Sequence, residues 1–391
     1  MAKSPPLPIA LGLLWLAGNA LRLAILAVPP VIPALRAEFR LSGTEVGILT
    51  GLPVILFAAT ALLGSRLVAR VGAVVAVVAG LLLTALGSAL RGLTSDVTAL
   101  FAATVVMAVG VAVTQPAMPA LVGRWTSRHI ILGTAIYTNG LLIGEILPVA
   151  LFPTLWSLFG ASWRATFVFW AVPIAAIAFM VMALAPRDAG KAVALSARWW
   201  PDWPARDIWR LGLIFGSAGA LYFASNAFLP VYLSEAGRSD LVSAALTALN
   251  FGQLPASLLL IAFARRLERR IWPLVFAGVL SVASIGGIIS TAGVATVASA
   301  GVLGFAAGGA FALGLTLPPL LSAPHEVARV SAAMFTISYS AALVVSVVSG
   351  AAADFTGSAR FAFLPVAIAA LPLIVLVPTL KFDRKMQEIV W

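Results

Sequence analysis

Twelve long apolar stretches, almost free of charge, run through this chain: 8–35, 45–65, 73–90, 98–122, 131–157, 165–185, 209–233, 241–264, 272–290, 294–320, 330–350 and 361–380. A helix needs about 20 apolar residues to cross the hydrocarbon of a bilayer, whereas a barrel strand needs about 10 in alternation. Length therefore selects helices. The first stretch is longer than a signal-peptide core and contains Arg22, so it is expected to be a span and not a cleaved leader. Only 10% of the 391 residues are charged, too few to coat a soluble globule of this size. Cysteine is absent, which excludes a disulfide scaffold and Cys-ligated metal centres.

The net charge of +11 would suit a nucleic-acid partner, but its distribution follows the spans instead. Eighteen of the 25 Lys and Arg fall on the side that also holds both termini. Six fall on the other side (Arg36, Arg40, Arg91, Arg164, Arg238 and Arg360), and Arg22 lies within a span. Basic loops stay cytoplasmic, so both termini are expected in the cytoplasm of a multi-pass protein of the bacterial inner membrane. No nucleic-acid partner is expected; the lipid bilayer is the large partner.

The two halves echo each other. Pro33–Glu38 ends the first span and Pro230–Glu235 ends the seventh at the same Pro-to-Glu spacing. Arg66-Leu67 and Arg70 follow the second span as Arg266-Leu267 and Arg270 follow the eighth. Ala135-Ile-Tyr-Thr138 in the fifth resembles Ala333-Met-Phe-Thr336 in the eleventh. Internal repeats of this kind place a substrate site near the midplane between two halves. The expected division is an N-terminal six-helix bundle at 1–186, a cytoplasmic linker at 187–208 and a C-terminal six-helix bundle at 209–391. Trp199, Trp200 and Trp203 in the linker suit a short interfacial segment.

Particular residues then point to a family. Asn19-Ala-Leu-Arg22 with Val28-Pro29-Pro30, Met118-Pro119-Ala120-Leu121, Gly133 and Tyr137, and Trp163-Arg164-Ala165 with Trp170 carry the likeness in the first half. Phe215-Gly216, Tyr222, Leu229-Pro230 and Asp354-Phe-Thr-Gly357 carry it in the second. With these the chain resembles the major facilitator superfamily, and within it the branch of cyanate and 2-nitroimidazole transporters. The Asn-to-Arg gap is one residue longer here than in that branch. The superfamily loop motif is degenerate: the segment 65–73 keeps Arg70 and Gly72 but has Ala69 where Asp is expected. The resemblance implies an all-α membrane protein of twelve transmembrane helices in two pseudo-symmetric bundles, working as a monomeric secondary transporter by alternating access. The loop arginines Arg66, Arg70, Arg266 and Arg270 are the expected gating residues.

Only two charges lie deep within spans, Arg22 and Glu145. An ionisable group at that depth costs about 2.5–3.5 kcal/mol on insertion scales, so each is a functional-site candidate. Arg22 either faces the cavity and holds an anionic or dipolar substrate, or pairs with Glu145 and pins two helices. Glu145 stands where the resembling families usually have a small residue; it is the candidate for proton coupling, a counter-ion to Arg22, or a group facing a cation. The remaining substrate-binding candidates are neutral and polar: Asn19, Gln115, Tyr137, Asn139, Tyr222, Asn226, Asn250, Gln253 and Tyr339. The expected cargo is a small anion or a small polar heteroaromatic compound. The alternatives are a proton-coupled exporter of drugs or cations, and a receptor on the same fold that moves nothing. No phosphate-cradling loop is present, and neither His129 nor His325 has a carboxylate or Cys cluster beside it. No enzymatic activity, cofactor or metal is expected.

Overall fold

The computed structural model describes residues 6–126, 129–185, 200–259, 270–322 and 327–380, leaving aside the side chains of 59–70, 130–131, 319 and 327–329. Among them are eleven helical spans long and apolar enough to cross a bilayer, plus a helix whose described apolar part is Gly43–Ala58. Together these make twelve: α1 (Leu7–Phe39), α2 (Gly43–Val71), α3 (Ala73–Arg91), α4 (Val97–Trp125), α5 (Ile130–Ala150), α6 (Trp163–Leu184), α7 (Arg206–Glu235), α8 (Ser239–Leu259), α9 (Trp272–Ser290), α10 (Val294–Leu321), α11 (Val327–Thr356) and α12 (Ala359–Thr379). The expected spans are all found, with ends that shift by a few residues. The expected linker ends earlier than 208, because α7 starts at Arg206; residues 186–199, with Trp199, lie outside the described residues. Trp200 and Trp203 meet edge to face with centroids 6.2 Å apart.

The helix ends follow from their sequences. Ser42 and Glu45 bond reciprocally at the start of α2, the two-way capping arrangement that satisfies free N–H groups. Asp96 and Ser162 accept from Ala99 N and Ala165 N to cap α4 and α6. Proline interrupts α1: Pro29 and Pro30 carry no N–H, so the helix Leu7–Leu26 gives way to a 3-10 turn before Ile32–Phe39.

Within the first half α1 packs on α5 and α6, α3 on α4 and α6, and α2 on α4. In the second α7 packs on α11 and α10, α9 on α10 and α12, and α8 on α10. The halves meet mainly along two seams, α2 with α11 and α5 with α8. The glycine pairs sit at close helix approaches. A Cβ on Gly140 or Gly144 would meet the carbonyls of Trp15 and Asn19 on α1, and one on Gly304 the Leu249 carbonyl on α8. Small residues let membrane helices approach to backbone contact in this way. Val75, Val172, Phe179, Leu258 and Phe276 point outward, forming the apolar surface that lipid requires.

The Pro-to-Glu echo has a structural counterpart. Glu38 accepts from Trp163 Nε1 and Arg164 at the start of α6 (2.7 and 2.6 Å), and Glu235 accepts from Ala359 N at the start of α12 (2.7 Å). Each carboxylate thus ties the end of its half's first span to the beginning of its last. Trp163 is buried in this contact.

Candidate functional site

The periodicity of α5 builds one wall of a cavity. Thr138, Leu141, Leu142 and Glu145 follow the i, i+3, i+4, i+7 pattern of one helix face, and all four line it. Ala218, Gly219, Tyr222 and Phe223 of α7 lie opposite, with Gln253 and Ser257 of α8, Phe311 of α10, and Ser338 and Tyr339 of α11. The space measures about 840 Å³ including its mouth. Mostly apolar walls with a few convergent polar groups are the usual form of a small-molecule site.

Arg22 and Glu145 meet on this wall. Gly144 makes the meeting possible: its missing side chain lets α5 touch α1 at Asn19, one turn before Arg22. Arg22 Nε lies 3.2 Å from Glu145 Oε1. The approach is out of line, so Nε makes no hydrogen bond, and neither does Nη1. The other carboxylate oxygen, Oε2, accepts from Gln253 Nε2 at 2.8 Å. The ion pair on the first half is therefore bonded across the α5–α8 seam. An arginine presents five donors in a rigid fork; here Arg22 lines the cavity with Nε in the ion pair and Nη1 without a hydrogen-bond partner.

Around this pair run two polar relays. Tyr222 Oη donates to Asn250 Oδ1 at 2.6 Å, and Asn250 Nδ2 donates to Asn226 Oδ1 at 3.0 Å. Gln115 Nε2 of α4 donates to Tyr339 Oη of α11 at 3.0 Å, a second polar link between the halves. Phe335 stacks on Tyr339, and Phe57 meets it edge to face.

Of the residues singled out from sequence, Arg22, Glu145, Tyr222, Gln253 and Tyr339 share the cavity wall. Asn250 is fully buried behind Tyr222 and reaches the wall through it. Asn226 lines a second, smaller space with Thr50, Thr104 and Phe223. Asn19, Gln115 and Tyr137 are not part of the lining. Asn139 is the misplaced candidate: it accepts from Trp15 Nε1 at 2.9 Å, away from the cavity. It is one residue past Thr138, and one residue turns a helix by about 100°. Arg266 and the side chains of Arg66 and Arg70 lie outside the described residues; Arg270 is exposed. Thr138, Ser257, Phe311 and Ser338 also line the cavity.

The comparisons with known proteins agree with this architecture. A family model, Major Facilitator Superfamily, matches residues 14–344. The chain belongs to that superfamily. It is 30% identical over 320 residues to the cyanate transport protein CynX of Escherichia coli (strain K12), covering 80% of each chain. It is 24% identical over 365 residues to the 2-nitroimidazole transporter of the same organism, covering 92% of each. Among solved structures, the nucleoside transporter NupG shares the fold with a TM-score of 0.76 at 15% identity, over 96% of this chain and 98% of that one. A bacterial homologue of the human lysosomal transporter Spinster, inward-facing and occupied, matches with 0.73 at 14% identity, over 94% of each chain. The superfamily member described here is a multi-pass membrane transporter and not an enzyme.

Proposed function

We propose that this transporter carries a small anion or a small polar heteroaromatic compound, held by the guanidinium of Arg22. The observation that carries the reading is Arg22 at the wall of a cavity between the halves, its Nε turned to Glu145 and its Nη1 without a hydrogen-bond partner. Unused buried donors are costly and rare, and a planar anion or a nitro group supplies acceptors that match the fork. Tyr222, Phe311 and Tyr339 offer faces and edges to a flat ligand. The relatives named for cyanate and 2-nitroimidazole transport support the same cargo class.

Glu145 is the coupling group in this reading. A bound anion competes with Glu145 for Arg22, and a carboxylate that loses its counter-ion in a nonpolar site favours its protonated form. Anion and proton then travel together. Residues 6–185 and 206–380 act as the two moving units, rocking about the site in the bacterial inner membrane with both termini cytoplasmic, the molecule working as a monomer. The test is uptake of labelled cyanate and 2-nitroimidazole into proteoliposomes with and without an imposed proton gradient. Wild-type protein should show gradient-stimulated uptake, Arg22→Gln should lose it, and Glu145→Gln should bind the substrate while losing the gradient's effect. Uptake confined to organic cations, unaffected by Arg22→Gln, would replace this reading with cation export through Glu145.

A further inference from the structure

The charge count places Arg91 on the side away from the termini, and it is the last residue of α3. The structure buries it completely, between α1, α3 and α6. Its guanidinium lies over the Phe167 ring, 4.5 Å from the centroid, and Nη2 approaches Ser88 Oγ at 3.4 Å. Among the described residues no carboxylate pairs with it, and Nε and Nη1 have no hydrogen-bond partner. Its one strong acceptor is the backbone carbonyl of Ala24, 2.7 Å from Nη2.

That carbonyl is free for a specific reason. In an unbroken helix it would accept from the N–H of residue 28. Here the Pro29-Pro30 break tightens the last turn, and Val28 N donates to Ile25 O instead. Arg91 fills the vacancy. A buried charge with no counter-ion is a poor source of stability, since an apolar side chain of similar volume would pack at less cost. What Arg91 does supply is a fixed direction for the broken end of α1, two residues beyond Arg22.

We infer that Arg91 is a positioning residue for the substrate site: by holding the Ala24 carbonyl it sets the bend of α1 and so the aim of the Arg22 guanidinium into the cavity. The inference rests on Arg22 being the substrate-holding group. It predicts a loss of substrate affinity without an equal loss of turnover.

The experiment measures cyanate uptake by proteoliposomes for Arg91→Met, Arg91→Lys and the double variant Arg91→Met/Pro29→Ala, normalised to folded transporter. Arg91→Met should raise KM by about tenfold or more while Vmax stays within about twofold, as expected when a charged hydrogen bond governing binding geometry is lost. Arg91→Lys should recover most of the affinity, because an ammonium can still donate to one carbonyl. Pro29→Ala should recover it too, because an N–H at position 29 can take Ile25 O and return Val28 N to Ala24 O. A KM unchanged in Arg91→Met, with only lower thermal stability, overturns the inference; so does a fall in Vmax alone. If Arg91→Met alone does not fold, the double variant decides: it should fold with a KM near that of the wild type, and a failure to fold or a KM about tenfold higher overturns the inference.

A second measurement needs no substrate. The chain has no native cysteine, so spin labels at Ala37→Cys beyond the bend and Leu93→Cys beyond α3 report one distance. Arg91→Met should broaden or shift that distance and Arg91→Lys should largely restore it; an unchanged distribution in Arg91→Met contradicts the inference. Failure of the wild-type protein to take up cyanate would count against the proposed cargo, and this second measurement would then decide the role of Arg91.

Discussion

The two seams between the halves occupy equivalent places in the internal repeat, yet they are built oppositely. Along α2 and α11 the backbones touch: a Cβ on Gly47 would run into the Ser346 carbonyl, and one on Gly350 would meet that of Gly43. Asp354 at the far end of α11 accepts from Gly43 N, Thr44 N and Thr44 Oγ1, capping α2 with a residue from the opposite half. Along α5 and α8 the contact is polar and sparse, with Ser243 Oγ on the Val149 carbonyl and Gln253 on Glu145, and the cavity runs beside it. One seam has the features of a dry pivot, while the other carries the ionisable chemistry. The lesson is that near-symmetry of fold leaves each seam free to specialise by which side chains its helices retain.

The comparison can be broken most forcefully at the polar seam. Arg22→Gln leaves Glu145 buried without its counter-ion, which should cost about 3–5 kcal/mol of stability, read as a fall in melting temperature in detergent. The double variant Arg22→Gln/Glu145→Gln should regain most of that stability and remain unable to bind the anion. Stability restored together with binding would make the pair merely structural.

The dry seam should respond to bulk. Gly47→Leu inserts a side chain where even a Cβ is too close, and overpacking typically costs about 1–3 kcal/mol. The expected result is a lower melting temperature with slowed transport. If Gly47→Leu behaves like wild type, the seam is not tightly held. A smaller effect is expected from Asp354→Asn, which keeps a polar cap but removes its charge, at about 1 kcal/mol by analogy with helix caps. The measurement is labelling of Thr50→Cys in the smaller cavity by a membrane-impermeant thiol reagent, which should speed up when the cap weakens. The smallest effect belongs to Glu235→Gln. Its bond to Arg36 across the halves is 2.8 Å long but partly exposed, and such pairs contribute about 0.2–1 kcal/mol. A matching weakening of the wild-type contact by salt would confirm that scale.

How far the sequence revealed this arrangement depended on the kind of signal. The spans were legible because lipid demands long uncharged helices, and Arg22 and Glu145 because charge at that depth is conspicuous. Their partnership was legible only as one of two alternatives, since distance between helices does not follow from spacing along them. Thr138 was legible beside Glu145: it is seven residues before it, on the same helix face. Asn139 was misplaced because polarity was weighed without that rotation. The burial of Arg91 was not legible, because a charge at the end of an apolar run carries no local mark of what covers it. Nothing local shows that a proline break on another helix has left a carbonyl for it to bind. The Glu38 and Glu235 contacts were foreshadowed by the repeated Pro-to-Glu spacing, though not their donors on α6 and α12.

The central claim is that Arg22 holds the cargo's negative or strongly dipolar group. A ligand at about 100 times its dissociation constant stabilises a protein by about 2.7 kcal/mol. The most direct measurement therefore compares the melting temperatures of wild-type protein and the Arg22→Gln/Glu145→Gln variant, with cyanate, formate, 2-nitroimidazole and organic cations titrated into each. The account predicts stabilisation of the wild type by one of the anions or by 2-nitroimidazole, absent in the variant. Equal stabilisation of both proteins, or stabilisation of the wild type by cations alone, would contradict it.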